Sequence, residues 1–137
     1  TELESLAAED AARQSYGEAE LALMSQLVEE METALQRDDL EAWADADDRF
    51  HIELVRLGGN SRVLAIVGMV RDQVCRVRSM TLYLRPIPTE SNEDHRKVLD
   101  AIRRGDPAEA RRVHRSHRSR AKNMLMGLLE KHRLSRM

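Results

Sequence analysis

The chain has 137 residues, a formal net charge of −2, 34% charged and 42% hydrophobic residues, which suits one domain with one core and argues against nucleic-acid binding by the whole domain. Six glycines, three prolines and 3% aromatic residues point to helices rather than strands. No apolar run approaches the roughly 20 residues of a membrane span, and no signal peptide is visible.

Helix signals follow one another with short gaps. Residues 2–14 form a first expected helix. A second spans about 18–37, with Leu21, Met24, Leu27, Val28, Met31 and Leu35 as one apolar stripe. Asp38 and Glu41 make a D-x-x-E capping box for a third, which the pair Gly58–Gly59 closes. A fourth runs from 61 to 85, where Pro86 and Pro88 stop it. Ser91 with Asp94 caps a fifth that ends at Gly105. Asp106, Pro107 and Glu109 supply the cap, first-turn proline and third-position acid that start a sixth, reaching about 132. Six helices with short connections predict an all-α antiparallel bundle occupying the whole of 1–137.

Polar groups interrupt its inward stripes. The third helix is apolar at Leu40, Trp43, Ala44, Phe50, Leu54 and Val55, and Asp47 and His51 fall inside that face, one turn apart. His95 heads the series Val98, Leu99, Ile102, and His117 lies within Ala110, Val113, Ala121, Met124, Leu128. His95 stands 11 residues before Asp106 and His117 stands 11 after it. An antiparallel hairpin turning there would set the two imidazoles side by side.

A single inward histidine is usually a hydrogen-bonded core residue. Four such groups on three helices are costly together, because a buried unpaired imidazole costs about 1–3 kcal/mol and a carboxylate more. One divalent cation held by Asp47, His51, His95 and His117 resolves all four costs. His114, near the same stripe, is an alternative to His117 or a supporting group, and His132 reads as a solvated histidine. Arg111, Arg115 and Arg118 share one face without interleaved aromatics, and read as a solvated side of the sixth helix.

These residues resemble the effector-binding FCD domain of the FadR-like branch of the GntR transcription regulators. The resemblance is carried by D-D-R-F-H and GGN (Asp47, Phe50, His51, Asn60), by D-H-R-K-V-L-D-A-I-R-R-G-D (His95 to Asp106), and by A-R-R-V-H-R-S-H ending at His117. It implies an all-helical bundle with one central divalent metal on the same four residues, with zinc or nickel first and iron or manganese as other choices. It also implies a winged helix-turn-helix domain upstream, so that DNA is reached only through that absent part, and the lone Cys75 fits a cytoplasmic regulator. The start at Thr1 rather than Met agrees with a piece of a longer protein. Two positions depart from the family: Asp94 where Glu is usual, and His114 where an apolar residue is usual.

The resulting expectation is a ligand sensor, dimeric and without a membrane, in which a small organic acid meets the metal and an arginine. Arg71 and Arg78 are the arginine candidates, sharing a row with Leu64, Cys75 and Leu82; Asn60 is expected to shape the turn ahead of the fourth helix. A metalloenzyme is the competing class, but the chain contains no E-x-x-H, and Asp47 is the one carboxylate expected near the ligands. A plain helical interaction module is the third.

Overall fold

A computed structural model describes residues 2–135, with side chains to 132. Six α-helices account for most of it: α1 (Glu2–Arg13), α2 (Ala22–Gln36), α3 (Leu40–Leu57), α4 (Ser61–Thr81), α5 (Thr89–Arg104) and α6 (Pro107–Ser135), with a short 3-10 turn at Leu82–Leu84 after α4. No strand occurs among the described residues, and the all-α bundle is the observed fold.

Helix starts differ from expectation in ways that local chemistry explains. Asp39, not Asp38, caps α3: its Oδ1 accepts from the Ala42 N–H at 3.0 Å, while Asp38 turns the chain at φ 53°. α2 begins at Ala22 rather than 18, because the Gly17 N–H donates to Glu20 Oε2 at 2.8 Å and ties the preceding residues into a local turn. α5 starts at Thr89 directly after Pro88, without a Ser91 cap. The Asp106 cap of α6 is present, accepting from the Glu109 N–H at 3.1 Å.

α1 is the hub, packed against α3, α5 and α6, with α2 covering α3 and α5 from the other side. Its row Ala7, Ala8, Ala11 and Ala12 is buried, and small side chains let neighbouring backbones come close. A Cβ on Gly58 would lie 3.0 Å from the Ala7 backbone, so a side chain there would push α1 away from the end of α3 by a few tenths of an ångström. Leu21, Met24, Leu27, Met31, Phe50, Leu54 and Ile102 fill the core. At the far end Gly105 takes φ 68°, and its N–H closes α5 on the Ala101 and Ile102 carbonyls.

The arginine face of α6 is only partly solvated: Arg115 is exposed, while Arg118 is largely covered. Arg111 pairs with Glu9 at 2.6 Å, Arg115 with Glu2 at 3.1 Å and Arg118 with Glu4 at 3.3 Å, so these cations match the acids of α1. α4 stands apart, packed mainly on α3, with only Val63, Arg78 and Thr81 buried. α6 likewise buries nothing from Arg118 to His132.

Candidate metal centre

α3, α5 and α6 each deliver imidazoles to one point. The 3.6-residue period that buries Trp43, Phe50 and Leu54 turns Asp47 and His51 inward as well. The α5–α6 hairpin holds the His95 and His117 rings 4.8 Å apart between centroids, on facing turns as their equal separation from Asp106 requires. Ring nitrogens of His51, His95 and His117 lie within 4.8 Å of one another, all three residues buried. Asp47 Oδ1 is 3.2 Å from His51 Nε2 and 3.3 Å from His95 Nε2. Asp47 thus reaches two of the three imidazoles.

The electrostatics of two of the three imidazoles suit cation binding. Burial pushes His95 well below the usual imidazole range, with Asp47 opposing and the neighbouring imidazoles reinforcing it. Burial also lowers His117, against the hydrogen bond that its Nδ1–H donates to Asp94. His51 moves the other way: burial lowers it, but Asp47 and Glu4 outweigh that and raise it. Burial would raise Asp47, yet His51 and Arg78 beside it hold its carboxyl well below the carboxylate range. His51 Nε2 and both nitrogens of His95 are buried without a hydrogen-bond partner. Such orphaned lone pairs around a carboxylate are the donor set a divalent ion would satisfy.

Two further carboxylates surround this centre, correcting the expectation that Asp47 alone would be near it. Glu4 and Asp94 are 9% and 6% exposed. His51 Nδ1 donates to Glu4 Oε1 at 2.6 Å, and His117 Nδ1 to Asp94 Oδ2 at 3.3 Å. Each carboxylate fixes a tautomer, leaving Nε2 of both rings as the lone-pair atom. Glu4 is also held by Arg118, and Asp94 by Arg120, so neither is a free base. A signal for Glu4 existed: it shares a helix face with Ala8 and Ala11, both fully buried.

His114 is fully buried behind His51, its Nε2 3.5 Å from Glu4 Oε1, and burial pushes it down to about 4. Glu4, His51 and His114 form a second convergent trio. Arg78 is buried and paired with Asp48 at 2.5 Å and with Asp47 at 3.5 Å. Arg71 is exposed and lines a smaller cavity between α1, α3 and α4 instead. Asn60 lies away from the ligands: its Oδ1 caps α4, accepting from Arg62 N–H at 3.0 Å and Val63 N–H at 3.2 Å. His132 is exposed.

Asp47, His51 and His117 open onto a cavity of about 540 Å³, which Arg78, Arg85, Arg118 and Arg120 also line.

The family model for the FCD domain matches residues 1–120. This chain belongs to the FCD family. It is also similar to an uncharacterized HTH-type transcriptional regulator in an unstable DNA locus of Streptomyces ambofaciens, 33% identical over 79 residues. That match takes in 58% of this chain and 34% of the relative. An FCD domain is a regulatory effector-binding module, and the chain stands with regulators rather than enzymes. No helix among the described residues is long and apolar enough to cross a membrane.

Proposed function

We propose that residues 1–137 are the sensing domain of a cytoplasmic GntR-type regulator, holding one divalent cation on Asp47, His51, His95 and His117. The convergence of three buried imidazoles within 4.8 Å supports this most directly, with His51 Nε2 and both His95 nitrogens buried without a hydrogen-bond partner. Zinc or nickel fits a set of three imidazoles and one carboxylate. When bound, the cation would carry a net single positive charge with its four protein ligands and offer its remaining positions to a small carboxylate effector.

The protein's own residues do the rest. Glu4 and Asp94 hold the ring orientations of His51 and His117. Arg78 brings a buried guanidinium to the cavity from α4, and α6 brings Arg118. An acid gripped from both sides would draw α4 and α6 toward each other. In a homodimer that shift would reset the spacing of DNA-binding helix-turn-helix domains upstream; the HTH character of the Streptomyces relative favours such a partner domain. The outer face of α4, where Ile66, Met69, Val70 and Met80 are exposed, supports a second copy as a partner.

His95→Ala and His117→Ala are each expected to strip the ion, read by elemental analysis of purified protein, and to remove the rise in Tm that added zinc produces. Unchanged metal content in both variants rejects the ligand assignment.

A further inference from the structure

Beyond the end that the histidines line, the cavity has a character that a small carboxylate does not use. Most of its lining surface is apolar, supplied in part by Val74 and Val77 of α4, Leu82 and Ile87 of the following turn, and Met124 and Leu125 of α6. α4 leans on α3, and α6 past His117 is at most half-buried, so the two helices face each other across a gap that no protein side chain fills. At about 540 Å³ the space is that of a drug-sized molecule rather than of acetate. Hydroxyls set against these apolar side chains would lose water without gaining a partner there.

Charged side chains share the lining, Arg78 and Arg85 among them. Arg78 is neutralised by Asp47 and Asp48. Arg85 is not: its Nη2 donates to the Arg78 carbonyl at 3.1 Å, its Nε is buried without a partner, and no carboxylate among the described residues pairs with it. A guanidinium in that state accepts a carboxylate through two parallel hydrogen bonds.

We propose that the effector is a monocarboxylic acid with an extended apolar body, its carboxylate at Arg85 beside the histidine cluster and its body filling the gap between α4 and α6. This rests on the ligand-sensing reading above and narrows its ligand class. The ligand supplies the packing that the two helices lack.

Titration calorimetry of the zinc-loaded chain with acetate, butanoate, hexanoate, octanoate and tartrate tests this. Each added methylene is expected to tighten binding by about fourfold until the gap is filled. Leu125→Asp should flatten that dependence on chain length, and Arg85→Met should weaken every acid in the series. Equal affinity for acetate and hexanoate, or tartrate binding more tightly than hexanoate, overturns the proposal while leaving a metal-bound small acid standing. Zinc is measured on the same samples: a chain-length gain with no zinc retained removes the metal reading and keeps this one. If no acid binds and Leu125→Asp instead shifts a dimer to monomer in ultracentrifugation, the gap belongs to a second copy and the proposal fails.

Discussion

The molecule has two unlike regions. In α1, α2, α3, α5 and the first three turns of α6, most large apolar side chains are enclosed; Phe50, Leu54, Met24, Met31 and Ile102 are at most 1% exposed. In α4 and the rest of α6 the reverse holds: Met69 is 80% exposed, Met80 72% and Met126 50%. The first region stabilises itself. The second presents apolar surface that something else must cover, and the histidine cluster lies on the boundary between them. Sensing has a physical basis there, because a ligand at the boundary adds contacts to the loosely held part and few to the rigid one.

The sharpest way to break that contrast is a pair of truncations. Phe50→Ala should lower unfolding free energy by about 3–5 kcal/mol, the usual cost of emptying a closed aromatic site. Met69→Ala on α4 should stay within about 0.5 kcal/mol. Urea denaturation of the metal-free protein measures both. A Met69 cost approaching that of Phe50 would mean that α4 is as tightly held as the rest.

A second test moves to the boundary and uses pH. His114 of α6 faces Glu4 of α1 and His51 of α3, with His117 on its own helix, and burial lowers it from 6.5 to about 4 despite Glu4. The folded state therefore binds fewer protons than the unfolded one between these values. Its contribution is complete above pH 6.5 and is lost as pH falls toward about 4. His51 has the opposite sign, its raised value stabilising the fold at low pH. Replacing His114 with methionine, an apolar residue of similar size, should flatten the acid limb of the metal-free stability curve by roughly 1–3 kcal/mol. An unchanged limb would show that His114 is not a neutral, enclosed imidazole.

Legibility divided along the same boundary. Wherever a helix has one buried face, periodicity placed its polar intruders, so Asp47, His51, His95 and His117 were readable, and the chain count about Asp106 even set two rings level. Glu4 escaped notice because it lies in an acidic first turn, where carboxylates are ordinary, and because its partner His51 is 47 positions away. The row Leu64, Arg71, Cys75, Arg78, Leu82 misled for a different reason. α4 carries apolar residues on several sides, so no single stripe declares which is inward, and in the structure only Arg78 and Leu82 of that row are buried. The basic face of α6 was read only in part, because nothing local announces that the acids of α1, about a hundred residues earlier, will pair with it.

A smaller loss than that at Phe50 concerns how α4 is attached. Asn60 follows the glycine turn, and its side-chain oxygen accepts from two N–H groups at the first turn of α4, at 3.0 and 3.2 Å. Elsewhere in the bundle a frayed first turn would be held by packing, but most side chains of α4 face solvent, and Val63 is the one buried residue of its first turn. Asn60→Ala should therefore cost about 1 kcal/mol, the ordinary value of a cap, with the loss confined to α4. Amide hydrogen exchange reads this directly. Faster exchange is expected at residues 62–70 and unaltered protection in α3 and α5. If protection instead fell uniformly across the bundle, α4 would unfold with the rest, and the division of the molecule into a self-sufficient region and an attached one would be wrong.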